Sequence, residues 1–187
     1  MDTPDSELMS QLAAGEDLAL NALMSRWSGR LIACLVRMTG QRESAVDLAQ
    51  ETFVKLYQAR HRYRPQGQFS TYLFAIAANL ARNHARWQSR HPTVSLDAAG
   101  PDGSEHFPEP ADSGQSPAEA ALGREKSAAV NAAILALPLD LREALVLFVH
   151  EEMSYAQIAE LTHCSPKAVE TRIYRARLIL KEQLKDF

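Results

Sequence analysis

Apolar residues recur along this chain at intervals of three and four, and no stretch shows the strict alternation of a half-buried strand. The period predicts helices throughout. Asp5 or Ser6 can cap a first helix through Leu8, Leu12 and Ala13 that ends near Gly15. Asp17 can cap a second, with Leu20, Leu23, Met24, Trp27, Leu31, Ile32, Leu35 and Val36 on its apolar side and a stop near Gly40. A third spans Glu43 to His61 and turns Ala45, Leu48, Ala49, Phe53 and Leu56 inward. After the turn residues Arg64-Pro65-Gln66-Gly67, Ser70 can cap a fourth through Trp87, with Leu73, Ile76, Ala77 and Leu80 buried. Four more fall near Glu119–Leu137, Leu139–Glu151, Ser154–Thr162 and Ser165–Lys185.

Between these groups the pattern lapses. Residues 91–118 hold Pro92, Pro101, Pro108, Pro110 and Pro117 with few aliphatic side chains, so they cannot bury a core. The expected fold is all-α: two small helical domains, 5–90 and 119–187, joined by a flexible linker over 91–118. Each helical part is long enough for a small core of its own.

Charge changes the picture only when it is located. The 187-residue chain carries a formal net charge of −3. No Lys or Arg occurs from His91 to Leu122, where six acids fall. The acidic linker therefore masks basic character on either side, and what counts for a nucleic-acid ligand is where the charge sits. Cys34 and Cys164 allow at most one disulfide and read as reduced thiols. The acidic N-terminus lacks the apolar run of a secretory signal, and no stretch approaches the ~20 apolar residues of a membrane span. These point to the cytoplasm, without membrane insertion.

The last forty residues are the most specific signal. Ser154 to Leu161 is a short supporting helix, Thr162-His163-Cys164 a turn, and Ser165-Pro166 a cap and first helical residue. In the helix that follows, Val169, Ile173, Ala176 and Leu180 share one face. Lys167, Thr171 and Arg175 lie four apart on another, with Glu170 and Tyr174 beside them. This is a helix-turn-helix with a face able to read a major groove. Arg172 and Arg177 are expected to contact phosphates or to pair with Glu160 and Glu182. A helical hairpin serving a protein interface is the plainer alternative.

Two further faces stand out. Asp47, Gln50, Glu51 and Val54 share one side of the third helix. As acid–base catalysts they would need a cleft and a nucleophile that the sequence does not supply, so a solvated face or a docking face for a partner helix fits better. In the fourth helix Asn79, Arg82, Asn83 and Arg86 advance by three and four with no acid among them. Tyr63, Phe69, Tyr72 and Trp87 could stack on unpaired bases, while Arg60, Arg62, Arg64, Arg82 and Arg86 could follow a backbone. Leu73, Phe74, Ile76 and Leu80 are simply core. His150, His163 and Cys164 match no common zinc spacing, and no Gly-rich phosphate loop occurs, so neither metal nor cofactor is expected.

In this order the motifs resemble a bacterial sigma factor of the extracytoplasmic-function (ECF) group. Asp47-Leu48-Ala49-Gln50-Glu51-Thr52-Phe53 resembles the group's polymerase-binding helix, and Phe69-Ser70-Thr71-Tyr72-Leu73 through Ala81 its promoter-melting segment. Leu137-Pro138, Arg142-Glu143-Ala144, Met153 to Glu160 and Val169 to Arg177 resemble its final DNA-binding domain. The resemblance implies core RNA polymerase binding through Asp47, Gln50, Glu51 and Phe53. It implies −10 promoter contact and melting through Arg62, Phe69, Tyr72, Asn79, Arg82, Asn83 and Arg86, with the Arg60–Phe69 loop holding a flipped base. It implies −35 recognition through Ser165, Lys167, Glu170, Thr171, Arg172, Tyr174 and Arg175. It also implies control by an anti-sigma factor and no catalysis by the chain itself. His163 stands where the family commonly has Gly, and Tyr72 where Trp is frequent. A regulator that binds an operator without polymerase would share the helix-turn-helix but have no use for the Asp47–Phe53 face, and a protein-binding adaptor would show no salt-sensitive DNA binding.

Overall fold

The computed structural model describes residues 3–64, 67–91 and 117–185. All regular structure among them is helical: α1 (Asp5–Ala13), α2 (Leu18–Thr39), α3 (Arg42–Ala59), α4 (Phe69–Arg90), α5 (Pro117–Ala136), α6 (Leu139–Val149), α7 (Tyr155–Thr162) and α8 (Pro166–Gln183). Each matches a helix expected from the spacing, with ends differing by a few residues, where helices fray. Apart from His91 and residues 117–118, the linker foreseen over 91–118 lies outside the described residues, as do Pro65 and Gln66.

Three expected N-caps are corrected. Pro4, not Asp5 or Ser6, precedes α1; Gln68, not Ser70, precedes α4; and Asp17 precedes α2 but makes no side-chain capping bond. The stop of α2 is as foreseen. Gly40 adopts φ +77°, and its N–H donates to the Val36 carbonyl at 2.8 Å. That left-handed turn suits a residue without a Cβ. A Cβ there would also meet the Leu135 side chain of α5 at 3.2 Å.

That near-contact reflects the main tertiary feature, which is that the two helical units touch. Helix α2 packs on α1, α3 and α4, and also on α5 and α6. Its apolar stripe is accordingly wider than expected, burying Cys34 and Met38 as well as Leu23, Leu31 and Leu35. Buried residues from both units, Leu31, Leu35 and Leu73 with Leu137, Leu147 and Ile158 among them, form one connected core. Truncating a fully buried leucine such as Leu147 to Ala costs about 2–5 kcal/mol in such packing.

Candidate nucleic-acid and polymerase interfaces

The helix-turn-helix is assembled by local chemistry. Ser154 closes a capping box on α7: its hydroxyl accepts from the Gln157 N–H at 3.2 Å, and the Gln157 side chain accepts from the Ser154 N–H at 2.8 Å. His163 ends α7 at φ +53°. The Ser165 hydroxyl accepts from the Ala168 N–H at 3.2 Å and starts α8, with Pro166 in its first turn. Val169, Ile173 and Ala176 are buried. Ser165, Lys167, Glu170, Tyr174 and Arg175 face solvent, and Thr171 is half-buried with its hydroxyl on the Lys167 carbonyl. Lys167 pairs with Glu170 at 2.8 Å, so that face carries less free charge than its composition suggests. Arg172 is drawn inward instead, 3.6 Å from Asp140 and 3.7 Å from the Cys164 sulfur. Arg177 lies over the Phe148 ring at 5.5 Å. Neither arginine uses the expected Glu160 or Glu182 partner, since Glu182 holds Lys185.

On α3, Asp47, Gln50 and Glu51 are exposed beside Val54, an apolar side chain left 53% exposed in a polar row. Phe53 is not part of that surface. It is 4% exposed and belongs to the core beneath it.

Helix α4 separates its expected contacts. Asn79, Asn83 and Arg86 are exposed, as is Arg62 before the helix. Phe69 is interior, 6% exposed, with its ring centroid 5.8 Å from Trp27 and 6.3 Å from Tyr63. Tyr72 is half-buried, 5.1 Å from Tyr63. Burial raises the phenol pKa of both tyrosines, and Asp5 adds to the effect at Tyr63. Trp27, Tyr63 and Phe69 wall a shallow cavity of about 340 Å³, with Asp5, Gln68 and Ser70 as polar lining.

Arg82 has the most constrained place of the row. It hydrogen-bonds Asn79 and donates to the Leu161 carbonyl of α7 at 3.2 Å. Its Nε lies 3.4 Å from Glu143 of α6, which is 4% exposed. This attraction is Coulombic, because Glu143 Oε1 has no hydrogen-bond partner of good geometry. Desolvation pushes the Glu143 carboxyl up to about 7, against the pull of Arg82 and Arg172. Further bonds run in parallel: Gln157 to Thr71 at 3.0 Å, Arg30 to Glu151 at 2.8 Å, and Arg142 to the Met38 carbonyl at 2.7 Å. Burial likewise raises Glu151, and raises the Cys34 thiol well above its ordinary value with help from the nearby Glu151 charge. Sequence reasoning missed this polar seam. One signal was available: Arg142-Glu143 stands as a charged pair inside the apolar run Leu139 to Val149.

Among the described residues no three His, Cys, Asp or Glu side chains converge on a metal-sized site. No described helix is long and apolar enough to cross a membrane.

Comparison with known proteins places these surfaces in context. Residues 23–91 match Sigma-70 region 2, and residues 127–180 match Sigma-70 region 4. Over 184 residues, 96% of its length, the chain is 34% identical to the RNA polymerase sigma-H factor of Pseudomonas aeruginosa, covering 93% of that protein. It is 31% identical to the ECF RNA polymerase sigma-E factor of Haemophilus influenzae, covering 96% of this chain and 95% of that one. The chain belongs to the ECF sigma factors. This sigma factor also resembles solved structures. One is CnrH in complex with the cytosolic domain of CnrY, with a TM-score of 0.68, 26% identity and 97% of each chain covered. Another is RpoE of Bartonella quintana in complex with the anti-sigma factor NepR, at a TM-score of 0.63 and 22% identity, a likeness of fold. The α3 face and α4 row fall inside the region 2 match of this sigma factor, and its helix-turn-helix falls inside the region 4 match.

Proposed function

We propose that this sigma factor binds core RNA polymerase, directs it to a promoter with defined −35 and −10 elements, and is held in check by an anti-sigma factor. The observation that carries the reading is the pairing, in one ECF-family chain, of a capped helix-turn-helix with an acid-free donor row on α4. Asp47, Gln50 and Glu51 dock the polymerase, with Val54 as the apolar centre and Phe53 holding the helix from beneath. Asn79, Asn83, Arg86 and Arg62 contact −10 DNA, while Phe69 and Tyr72 shape the wall against which the strands part. Arg82 joins them only after leaving Glu143. Lys167, Glu170, Thr171, Tyr174 and Arg175 face the −35 major groove, with Ser165 at the phosphate-facing start of α8 and Arg172 fixing the helix against Asp140.

The work is done in the cytoplasm and no bond is made or broken by the chain itself, since phosphodiester synthesis is the polymerase's. The CnrH–CnrY and RpoE–NepR complexes support the anti-sigma reading. Run-off transcription with purified bacterial core polymerase over a library of promoter fragments tests the proposal. Promoter-specific transcripts that need this protein are expected. DNA binding without transcripts or core binding would mark an operator-binding regulator instead.

A further inference from the structure

The donor row of α4 does not end at Arg86. Asn79, Asn83, Arg86 and Arg90 advance by four, three and four, so they follow one line along the helix, and all are exposed. Trp87 sits four residues beyond Asn83 and borders that line. Its indole is 54% exposed, although the buried face of α4 ends six residues earlier, at Ala81. The ring is nevertheless not without a neighbour. It stacks on His91 with centroids 5.0 Å apart and planes inclined by 22°, while the His91 ring also meets the Trp87 carbonyl at 3.1 Å. Helix α4 contains no Asp or Glu, and Arg86 and Arg90 flank the indole. The chain's other tryptophan, Trp27, is packed against Phe69 and Phe74 in the first unit.

A single exposed apolar side chain needs no explanation by itself. This one is a rigid aromatic plane, backed by a second ring and set among cations on the face proposed to meet DNA. Nucleic acid fits those features together: phosphates answer the arginines, and a base offers a flat face to the indole. An acidic protein surface would answer the arginines but would leave the aromatic plane without a partner of matching shape.

We propose that Trp87, backed by His91, is a stacking site for one exposed nucleobase of the opened promoter. This site is separate from the cavity at the start of α4. Phe69 and Trp87 are eighteen residues apart, about 27 Å along a helix at 1.5 Å per residue. A strand held at both places is held at two ends of one rigid rod. A base stacked on Trp87 and one held at the cavity therefore lie several nucleotides apart along the strand. The inference rests on the −10 reading above.

The test uses holoenzyme assembled from core polymerase and the full chain, on a promoter that the wild-type chain transcribes. 2-Aminopurine is placed at successive positions of three DNA forms: a fork with a non-template tail, a fork with a template tail, and a full duplex. Stacking on indole quenches this base. At one position of one fork, emission with wild type is expected to be several-fold below that with Trp87→Ala, and Trp87→Phe, whose ring stacks but quenches poorly, should restore most of the fork affinity. Affinity for that fork should fall roughly ten-fold in Trp87→Ala, with affinity for core polymerase unchanged. The tail that responds names the strand.

Equal emission from wild type and Trp87→Ala at every position would overturn the site. So would a loss of polymerase or other protein binding by Trp87→Ala with its fork affinity intact, which would make the indole a protein contact. If the wild-type chain supports no transcription from any promoter, the sigma reading fails with it. Transcription by wild type with unaltered fork binding by Trp87→Ala removes this proposal alone.

Discussion

Arg82 of α4 and Glu143 of α6 face one another across the seam between the two helical units, Nε to Oε1 at 3.4 Å, with Glu143 almost wholly removed from water. A residue proposed for −10 contact is thus also a link to the unit proposed to read the −35 element. Breaking the pair from the arginine side leaves a buried carboxylate without its nearest cation, which is the costly way to open a buried ion pair.

Glu143 should make stability depend on pH. Its folded carboxyl titrates at about 7, against an ordinary value of 4.5. Between those values the folded chain holds a proton that the unfolded chain releases, so the contribution to stability declines as pH rises through the window. The full change is on the order of 3 kcal/mol. Glu151 is shifted in the same direction and adds to the slope. Glu143→Gln keeps the shape and removes the titration. Thermal melts at about pH 5 and about pH 8 should show a smaller drop in Tm for the variant than for the wild type. Parallel slopes would assign the dependence to other groups.

The polymerase face should be separable from promoter reading. Asp47→Ala with Gln50→Ala removes two exposed side chains of α3 without touching the core. Affinity for core polymerase should fall, while binding of the chain to −35 duplex stays as it was. A parallel loss of both, with a lowered Tm, would mean that the first unit has unfolded.

Arg175 and Arg172 should behave differently although both belong to α8. Arg175 is exposed, and its replacement by Ala should cost roughly 1–3 kcal/mol of discrimination at one −35 base pair if it grips a base edge. Arg172 is tied to Asp140 and Cys164. Arg172→Ala should lower Tm and weaken all −35 sequences alike. Base-by-base competition binding distinguishes the two, and a uniform effect of Arg175→Ala would remove its base-reading role.

The two thiols should differ in reactivity. Cys34 is completely buried, and its thiol is pushed well above its ordinary pKa, so the nucleophilic thiolate is suppressed twice over. Cys164 is only half-buried, at the turn before α8. Alkylation of the native protein followed by mass spectrometry should modify Cys164 alone, and both sites after denaturation. Rapid native labelling of Cys34 would show that the seam beside Glu151 opens readily.

Loss of the α8 cap should be local. Ser165→Ala forfeits the bond from the Ala168 N–H and should cost about 1 kcal/mol of stability, read as a lower Tm.

Much of the fold was legible because its signals are local. The stop of α2 at Gly40, the turn at His163 and the Ser165-Pro166 start of α8 depend on neighbours within four residues. The exposed members of the three faces were legible for the same reason, as helical spacing sets which side chains share a side. Phe53 and Phe69 show where this ends. A helix wheel puts each beside polar residues, but only the packing of neighbouring helices tells an aromatic at the edge of a face from one beneath it. The expected cap at Ser70 failed because Gln68 already turns the chain into α4.

From sequence alone came eight helices, a helix-turn-helix, and membership in a family whose members direct transcription. The tertiary structure alone decided that the two units meet, that Cys34 and Met38 are interior, that Arg82 answers Glu143, and that Arg172 turns to Asp140. The physical reason is one of range. Helical period, caps and turns are written in residues three or four apart. The desolvation of a carboxylate, by contrast, and the cation that answers it, depend on which distant segments share a surface once the chain has folded.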